Sequence, residues 1–587
     1  MNSLKNRRKA TAMKCVNKTE YSDWLNVADF DLKLSECDGV LSFQKDTYFI
    51  KKQDAKKCTY SFSNTSNTDS QYAAFVIKDR KNVIIDGNGA EFIFRGHLTP
   101  FVIDSSENIT IKNLTIDFNP PLVAEGEILS FSDEYVDIFI DGRLFPYTCR
   151  DGWLYFDIGE KEPSPLRHDF SQIRFDRELT VAHSSGDGFV VKRAWELSEN
   201  KVRLYPENKD EIKKISVGEL FVLRHNARLH PGIFVENCKN ITFENITVHS
   251  CGGLGILTQF CENITYRNVD FLPNFKIGRR ISCGRDDGMH ITSCRGKVVV
   301  EGCSFLGLMD DPINIHGCSM RVEEIKNGGK TIRARYMHED AKDFSFFAKE
   351  NDVINIIDSR HMNVVESAVV DFWEKESAET ILIHFKDAVS LPGGDYAIEN
   401  ISATAEFICR KNRFGSCRAR GLLVSTPKKV VISENLFESS GSGILIPGDA
   451  NYWYESGEFH DVEISNNVFT NKCMTSMYQY THGMISIYPI VPEPIGELPF
   501  HKNIHIKNNV FDTSDTPVLY AFSTENLSFV GNTVFANPVR KNVCDKKALI
   551  SLSFCNNVEI RNNALIGKYS GGMLEYENCD NVIAEDI

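Results

Sequence analysis

The segments NITFENITV (residues 240–248) and NITYRNVDF (263–271) are two copies of one pattern: an Asn, an apolar–polar–apolar triplet, two polar positions and a second triplet. Alternation with period two sends one set of side chains inward, so each triplet reads as a short strand and the polar break as a bend. Further copies begin at Asn503, Asn526 and Asn557, and weaker ones at Asn82, Asn108, Lys297, Lys429 and Asp461. The starts at 240 and 263, 503 and 526, and 557 and 581 lie 23, 23 and 24 residues apart. Strands this short bury no face alone, but stacked turns do, which is the logic of a parallel β-helix. An Asn at the bend tolerates left-handed backbone and bonds its copy in the next coil, so a side-chain ladder is expected. That fixed phase accounts for the NIT and NLT triplets better than N-glycosylation does.

Two stretches break the period. Residues from about 120 to 225 and from about 319 to 405 show hairpin-like alternation without the Asn unit, and read as small β-barrels or sandwiches inserted between coils. Such inserts project from one side of a solenoid and wall its binding face. The expected division is 1–70, N-terminal segment and cap; 71–119, first coils; 120–225, a barrel-like insert; 226–318, further coils; 319–405, a second β-insert; and 406–587, the C-terminal coils.

A formal charge of −14, with Lys and Arg scattered, argues against a nucleic-acid backbone as partner and favours a neutral ligand. No segment approaches the roughly 18 uninterrupted apolar residues of a membrane span. The basic start, MNSLKNRRKATAMKCVNKTEYSDW, is followed by no apolar run of a secretory signal, so the chain as written reads as cytoplasmic, with export left open. Seventeen cysteines without a CxxC pair, mostly beside strand-like runs, read as packed reduced thiols rather than a disulfide framework or a zinc site.

The chemistry is concentrated in GRDDGMHITSCRGKVVVEGCSFLGLMDDPINIHG (284–317), which holds two Asp–Asp doublets, each followed within six residues by a His. Two registers fit. One lays Asp287 on Asp310, a coil of 23 residues; the other lays doublet on doublet at 24, with Met289 on Ile313 and His290 on Asn314. In both, acids from successive coils stack about 4.8 Å apart at the backbone. Solvated surface charge and a calcium site are the rival readings. Against them stand Gly284, Gly288, Gly307 and Gly317, which leave room for a ligand, and the neutral hydrogen-bonding groups of His290, Asn314 and His316. Carboxyls that cannot all ionise keep one as proton donor while another stays a base, the division of labour of glycoside hydrolysis. The spacing suits inverting or retaining geometry alike. Strict alternation exposes one Asp of each doublet, and a bend or bulge after Gly307–Met309 presents both.

DGMHITSCRGKVVVEGCSFLGLMDDPINIHG, together with CRARGLLVSTPKKVVISENLFESSGSGILIPGDANYWYESG further on, resembles the α-1,3-galactosidases of glycoside hydrolase family 110, and the likeness runs from about residue 70 to the C-terminus. The resemblance implies an all-β chain, a right-handed parallel β-helix with inserted β-barrel domains. It implies metal-independent, cofactor-free, inverting release of terminal α-1,3-linked galactose, from blood-group B or linear α-galactosyl structures. Asp287, Asp310 and Asp311 fall on the family's acidic triad. By analogy with polygalacturonase-type sites, Asp310 is the general acid, and Asp287 with Asp311 hold the attacking water. Asp286 has no family counterpart and reads as a solvated neighbour. Coils in phase with the triad add Arg418, Arg420, Trp453, Tyr454 and Glu455, with Arg228 (beside Arg224 and Asn226) and Gln259, as candidate sugar contacts. Expected partners are galactose-terminated oligosaccharides or glycoconjugates, with a second copy of the chain compatible and neither nucleic acid nor membrane. Two rivals remain: another β-helical carbohydrate enzyme (a polygalacturonase-like hydrolase, lyase or epimerase), and a non-catalytic glycan-binding solenoid. The first calls for a Lys- and Arg-lined groove, whereas 288–317 offers only Arg295 and Lys297. The second has no need of crowded acids.

Overall fold

The computed structural model describes residues 27–36, 39–66, 71–166, 172–179, 189–338 and 341–585. The sequence expectations for 1–26, and for parts of both the cap segment and the first insert, lie outside these residues. Helix Val27–Glu36 precedes the first strands and drives Phe30 and Leu34 into the solenoid core, the Phe30 ring 4.6 Å from that of Phe75.

The repeat forms a parallel β-helix. Among the described residues its Asn units and the first two strands build one sheet of 21 strands, in which Lys239–Val248 pairs in parallel with Glu262–Phe271, with Ile241 beside Ile264 and Phe243 beside Tyr266. A second parallel sheet runs through Ile233–Glu236, Ile256–Gln259, Met289–Thr292, the start of Ile313–Lys326, Leu422–Val424, Ile444–Ile446 and Ile485–Ile487. The inward residues of each coil meet their copies in the next. Phe271, Phe305, Phe414, Phe437 and Phe469 form a stack with successive ring centroids 5.7, 5.3, 4.7 and 4.7 Å apart. Each such pair contributes about 0.5–1.5 kcal/mol beyond area burial. The cysteines among the described residues are free thiols, most of them buried.

The bends carry Asn ladders of two kinds. On the outside, Asn108, Asn240 and Asn263 each donate a side-chain N–H to the Asn of the preceding coil, at 2.8, 2.8 and 3.1 Å, all in left-handed backbone (φ 55, 57 and 60°). Inside the C-terminal half, Asn412, Asn435, Asn467, Asn509 and Asn532 each donate a side-chain N–H to the Asn of the following coil, ending at Asn563, at 3.0–3.2 Å, and Asn467 is completely buried.

Two groups of antiparallel strands interrupt the coils. The described strands between 124 and 223 make an open six-stranded sheet with a separate three-stranded companion, rather than a closed barrel. The second group closes on itself. Ile313–Lys326 pairs with Thr331–Arg335 and Tyr396–Asn400, and the ring is completed through Thr380–Phe385, Val364–Lys375 and Val353–Asp358. The strand Ile313–Lys326 therefore serves both units: its first residues belong to the solenoid and its later ones to the barrel. Among the described residues no helix is long and apolar enough to cross a membrane.

Candidate active site

The register is the doublet-on-doublet one. Met289, His290, Ile291 and Thr292 lie beside Ile313, Asn314, Ile315 and His316, which stacks Asp286 on Asp310 and Asp287 on Asp311. One coil further, Leu422 pairs with Ile313, so Arg420 stands at the position of Asp311. Both doublets precede their strands, in non-strand corners where alternation does not apply; both side chains of the second doublet reach the cavity, and of the first only Asp287 does. A residue with a side chain would not fit directly after Asp287: a Cβ on Gly288 would lie 2.6 Å from the Pro312 carbonyl of the next coil. Gly307 (φ 77°) turns the chain into the second doublet in a conformation that only glycine adopts freely. The loop leading to the first doublet is fixed from below. Arg279 forms a buried pair with Asp117 at 2.7 and 2.9 Å, and Glu125 accepts the backbone N–H groups of Arg280, Ile281 and Ser282.

Asp287, Asp310 and Asp311 line one cavity of about 80 Å³. Arg228, Asn314, Arg420, Trp453 and Glu455 line it too, so eight of the residues singled out in the sequence meet there. The carboxyls have unequal surroundings. Of the three aspartates Asp310 is the most accessible, its side chain 16% exposed, with Arg228 Nη2 3.7 Å away. Asp311 accepts the backbone N–H of Arg420 at 3.0 Å and its guanidinium at 2.7 Å. Burial, reinforced by Asp310 and opposed by Arg420, raises Asp311 to about 7. Asp287 is bonded to His290 Nδ1 at 2.9 Å. Burial, then the charges of Asp310 and Asp311, push its carboxyl well above the usual range. The set thus retains a proton near neutral pH.

Asp286 is not the solvated neighbour the sequence suggested. Its side chain is fully buried, with Arg285 donating at 2.7 and 2.8 Å and Arg228 at 3.0 Å. Burial works to raise its carboxyl, but Arg228 and Arg285 hold it well below the ordinary value, so it is a fixed anion that anchors Arg228. Arg228 also donates to the Asn64 side chain and carbonyl, at 2.6 and 3.0 Å.

Other sequence candidates fall elsewhere. Gln259 faces away from the cavity; it donates to Glu236 and to the Ser61 carbonyl and accepts the Ser63 N–H, packing segment 61–63 on the solenoid. Arg418 is buried with its guanidinium 4.2 Å from the Tyr478 ring centre, behind the cavity wall. Asn226 bonds the Gly252 carbonyl. His290, His316 and Tyr454 line a separate space of about 20 Å³ beyond Asp287, which shares Trp453 and Glu455 with the main cavity. Tyr478, Tyr480 and Tyr488 supply walls that the sequence did not point to, and Asp449 shapes the loop carrying Trp453 by accepting the backbone N–H groups of residues 451 to 454. The one available signal was Asp449 itself, in the GDANYWYESG stretch. Among the described residues no group of three or more His, Cys, Asp or Glu is arranged to hold a metal ion.

With this geometry in hand, likeness to known proteins is informative. No family model matches the chain. Over 601 residues it is 36% identical to alpha-1,3-galactosidase B of Bacteroides thetaiotaomicron, covering 98% of this chain and 96% of the relative. The chain belongs to the α-1,3-galactosidase family. Other members of that family are similar along most of their length: alpha-1,3-galactosidase B of Phocaeicola vulgatus (32% identity, 85% of this chain, 86% of the relative) and alpha-1,3-galactosidase A of Bacteroides fragilis (30%, 92% and 89%). Solved structures with a similar course include the A-module of an Azotobacter vinelandii mannuronan C-5 epimerase (9% identity, TM-score 0.35, 96% of this chain and 91% of that one). A mutant tailspike protein of an E. coli bacteriophage is another (10%, TM-score 0.37, 92% and 62%). At such scores they add nothing to the topology read directly from the strands.

Proposed function

We propose that the protein is an exo-acting α-1,3-galactosidase that hydrolyses terminal α-1,3-linked galactose from oligosaccharides or glycoconjugates with inversion. The observation carrying this reading is the meeting, in one cavity, of three carboxyls from two consecutive coils with unequal environments. Asp310, the accessible one, protonates the leaving glycosidic oxygen. Asp287 and Asp311, stacked on one another beneath it, hold the water and take its proton on the opposite side of the sugar. Trp453 and the tyrosine walls meet the apolar face of galactose, and Asn314 and Glu455, themselves bonded at 3.4 Å, meet its hydroxyls. A neutral sugar suits the site better than a uronide, because Arg228 and Arg420 are already engaged by Asp286 and Asp311.

The test is galactose release from an α-1,3-linked galactosyl disaccharide compared with its α-1,4 and α-1,6 isomers and with polygalacturonate. Release from the α-1,3 isomer alone, with β-galactose as the first anomer seen by proton NMR, is expected. Cleavage of polygalacturonate in preference, or α-galactose as first product, overturns the reading of substrate or of stereochemistry respectively.

A further inference from the structure

Behind Asp287 the side chains form a line. Asp287 Oδ2 lies 2.9 Å from His290 Nδ1, and His290 Nε2 lies 3.2 Å from His316 Nε2. His316 Nδ1 is bonded to the Gly317 carbonyl, and His316 Nε2 is also 3.6 Å from Glu455 Oε1. The rings of His290 and His316 are nearly perpendicular, 5.0 Å apart at their centres. Burial of these groups makes every bond in the line costly to leave unmade.

The far end sets the polarity. A carbonyl only accepts, so His316 Nδ1 carries a hydrogen. Each nitrogen–nitrogen and oxygen–nitrogen link then needs one hydrogen, and with His290 itself uncharged, as its burial beside His316 and Arg228 favours, two arrangements satisfy all of them. In the first, Asp287 is a neutral acid donating to His290 Nδ1, and His290 Nε2–H donates to a neutral His316. In the second, Asp287 is a carboxylate accepting from His290 Nδ1–H, and His316 is an imidazolium donating to His290 Nε2. The two differ by one proton displacement along each link. Burial, then His316 and Arg228, keep His290 well below the usual histidine range, and burial raises Asp287, so the first arrangement is the resting one.

We propose that His290 and His316 are a proton relay serving Asp287, which shifts the line from its first arrangement to its second as Asp287 takes the proton of the attacking water. The water O–H breaks and an Asp287 Oδ1–H forms; Oδ2–H breaks and His290 Nδ1–H forms; His290 Nε2–H breaks and His316 Nε2–H forms. The net result is one proton moved from water to His316. The imidazolium so formed faces Glu455 and the adjoining space of about 20 Å³, room for about one water to carry the proton onward. A carboxyl that is protonated at rest is thereby able to act as a base. His290 and His316 touch no reacting atom; they are positioning residues acting through Asp287.

The inference rests on the galactosidase reading, and the test separates the two. In His316→Ala, galactose release from the α-1,3-linked disaccharide is expected to fall about 10²-fold in kcat with little change in KM. Free imidazole should restore at least about tenfold of that, but should not do so in His316→Phe, whose ring fills the space. A kcat within twofold of wild type, or a loss that imidazole leaves untouched in His316→Ala, overturns the relay. Should the variants not fold, wild-type kcat/KM in H₂O–D₂O mixtures decides: a bowed dependence on deuterium fraction upholds several moving protons, and a linear or flat one overturns them. If the wild type releases no galactose, the reading of the reaction fails on its own. The wiring is then decided by ¹⁵N signals of labelled histidines: His316 protonated at Nδ1 with His290 at Nε2 upholds it, and a neutral His290 protonated at Nδ1 overturns it.

Discussion

The ladder bends and the acid corner are products of the same operation, one coil laid on the next with like residue on like, and they have opposite energetics. An amide stacked on an amide is self-complementary: each Asn donates to one neighbour and accepts from the other, as along Asn435, Asn467 and Asn509. A carboxylate stacked on a carboxylate has no such match. Asp286 over Asp310 and Asp287 over Asp311 repel, and the corner persists because Arg228 and Arg420 are wedged into it and because one carboxyl keeps its proton. Stacking therefore stabilises where side chains are neutral and creates reactivity where they are charged.

The sharpest way to break that contrast is Asp310→Asn, which turns one acid of the corner into a ladder-type amide. Galactose release should fall about 10²–10⁴-fold while the fold survives, checked by steady-state kinetics beside circular dichroism. In the buried ladder, Asn467→Ala orphans the Asn435 N–H groups and the Ile432 carbonyl and should cost roughly 2–4 kcal/mol. Arg420→Met removes the guanidinium that Asp311 accepts, and Asp311, already raised to about 7, then takes up a proton; the loss should be about 1–3 kcal/mol in urea unfolding at neutral pH, partly recovered in the double variant with Asp311→Asn. The exposed ladder is cheaper to cut: Asn263→Ala, at φ 60°, should cost about 1–2 kcal/mol, mainly from left-handed backbone.

A pH series sharpens the comparison from the other side. Asp311 binds its proton more tightly folded, at about 7, than at its ordinary 3.8, so between those values the native state holds more protons than the unfolded chain. Its contribution to stability is present at pH 4 and is lost as pH rises through 7. The melting temperature of Asp311→Asn should therefore gain on wild type as pH rises across that window, whereas Asn263→Ala should run parallel to wild type.

The solenoid was legible because a neutral stack repeats its residue type every coil: the Asn unit recurs at 23 or 24 residues and its apolar partners with it. The acid doublets were legible as types at coil spacing, and the 24-residue register was one of two that fitted. What sequence could not convey was partners from distant segments. Asp286 looked solvated because Arg228, which bonds it together with the adjacent Arg285, lies 58 residues away, and Gln259 is drawn off by Ser61 and Ser63, nearly 200 residues earlier. Tyr478 and Tyr480 went unseen because the stretch between strands Val468–Phe469 and Ile485–Ile487 carries no repeat phase against which to place them, and Tyr488 because it follows directly on the second of these strands.

Asp311 and the Arg420 that neutralises it are 109 residues apart, with the whole six-stranded barrel threaded between them. During synthesis from the N-terminus, the crowded carboxyls emerge from the ribosome long before that cation. Until the barrel has closed and the following coil has docked, Asp311 stands at the growing edge of the solenoid without its cation, while Arg228 and Arg285, made earlier, already hold Asp286.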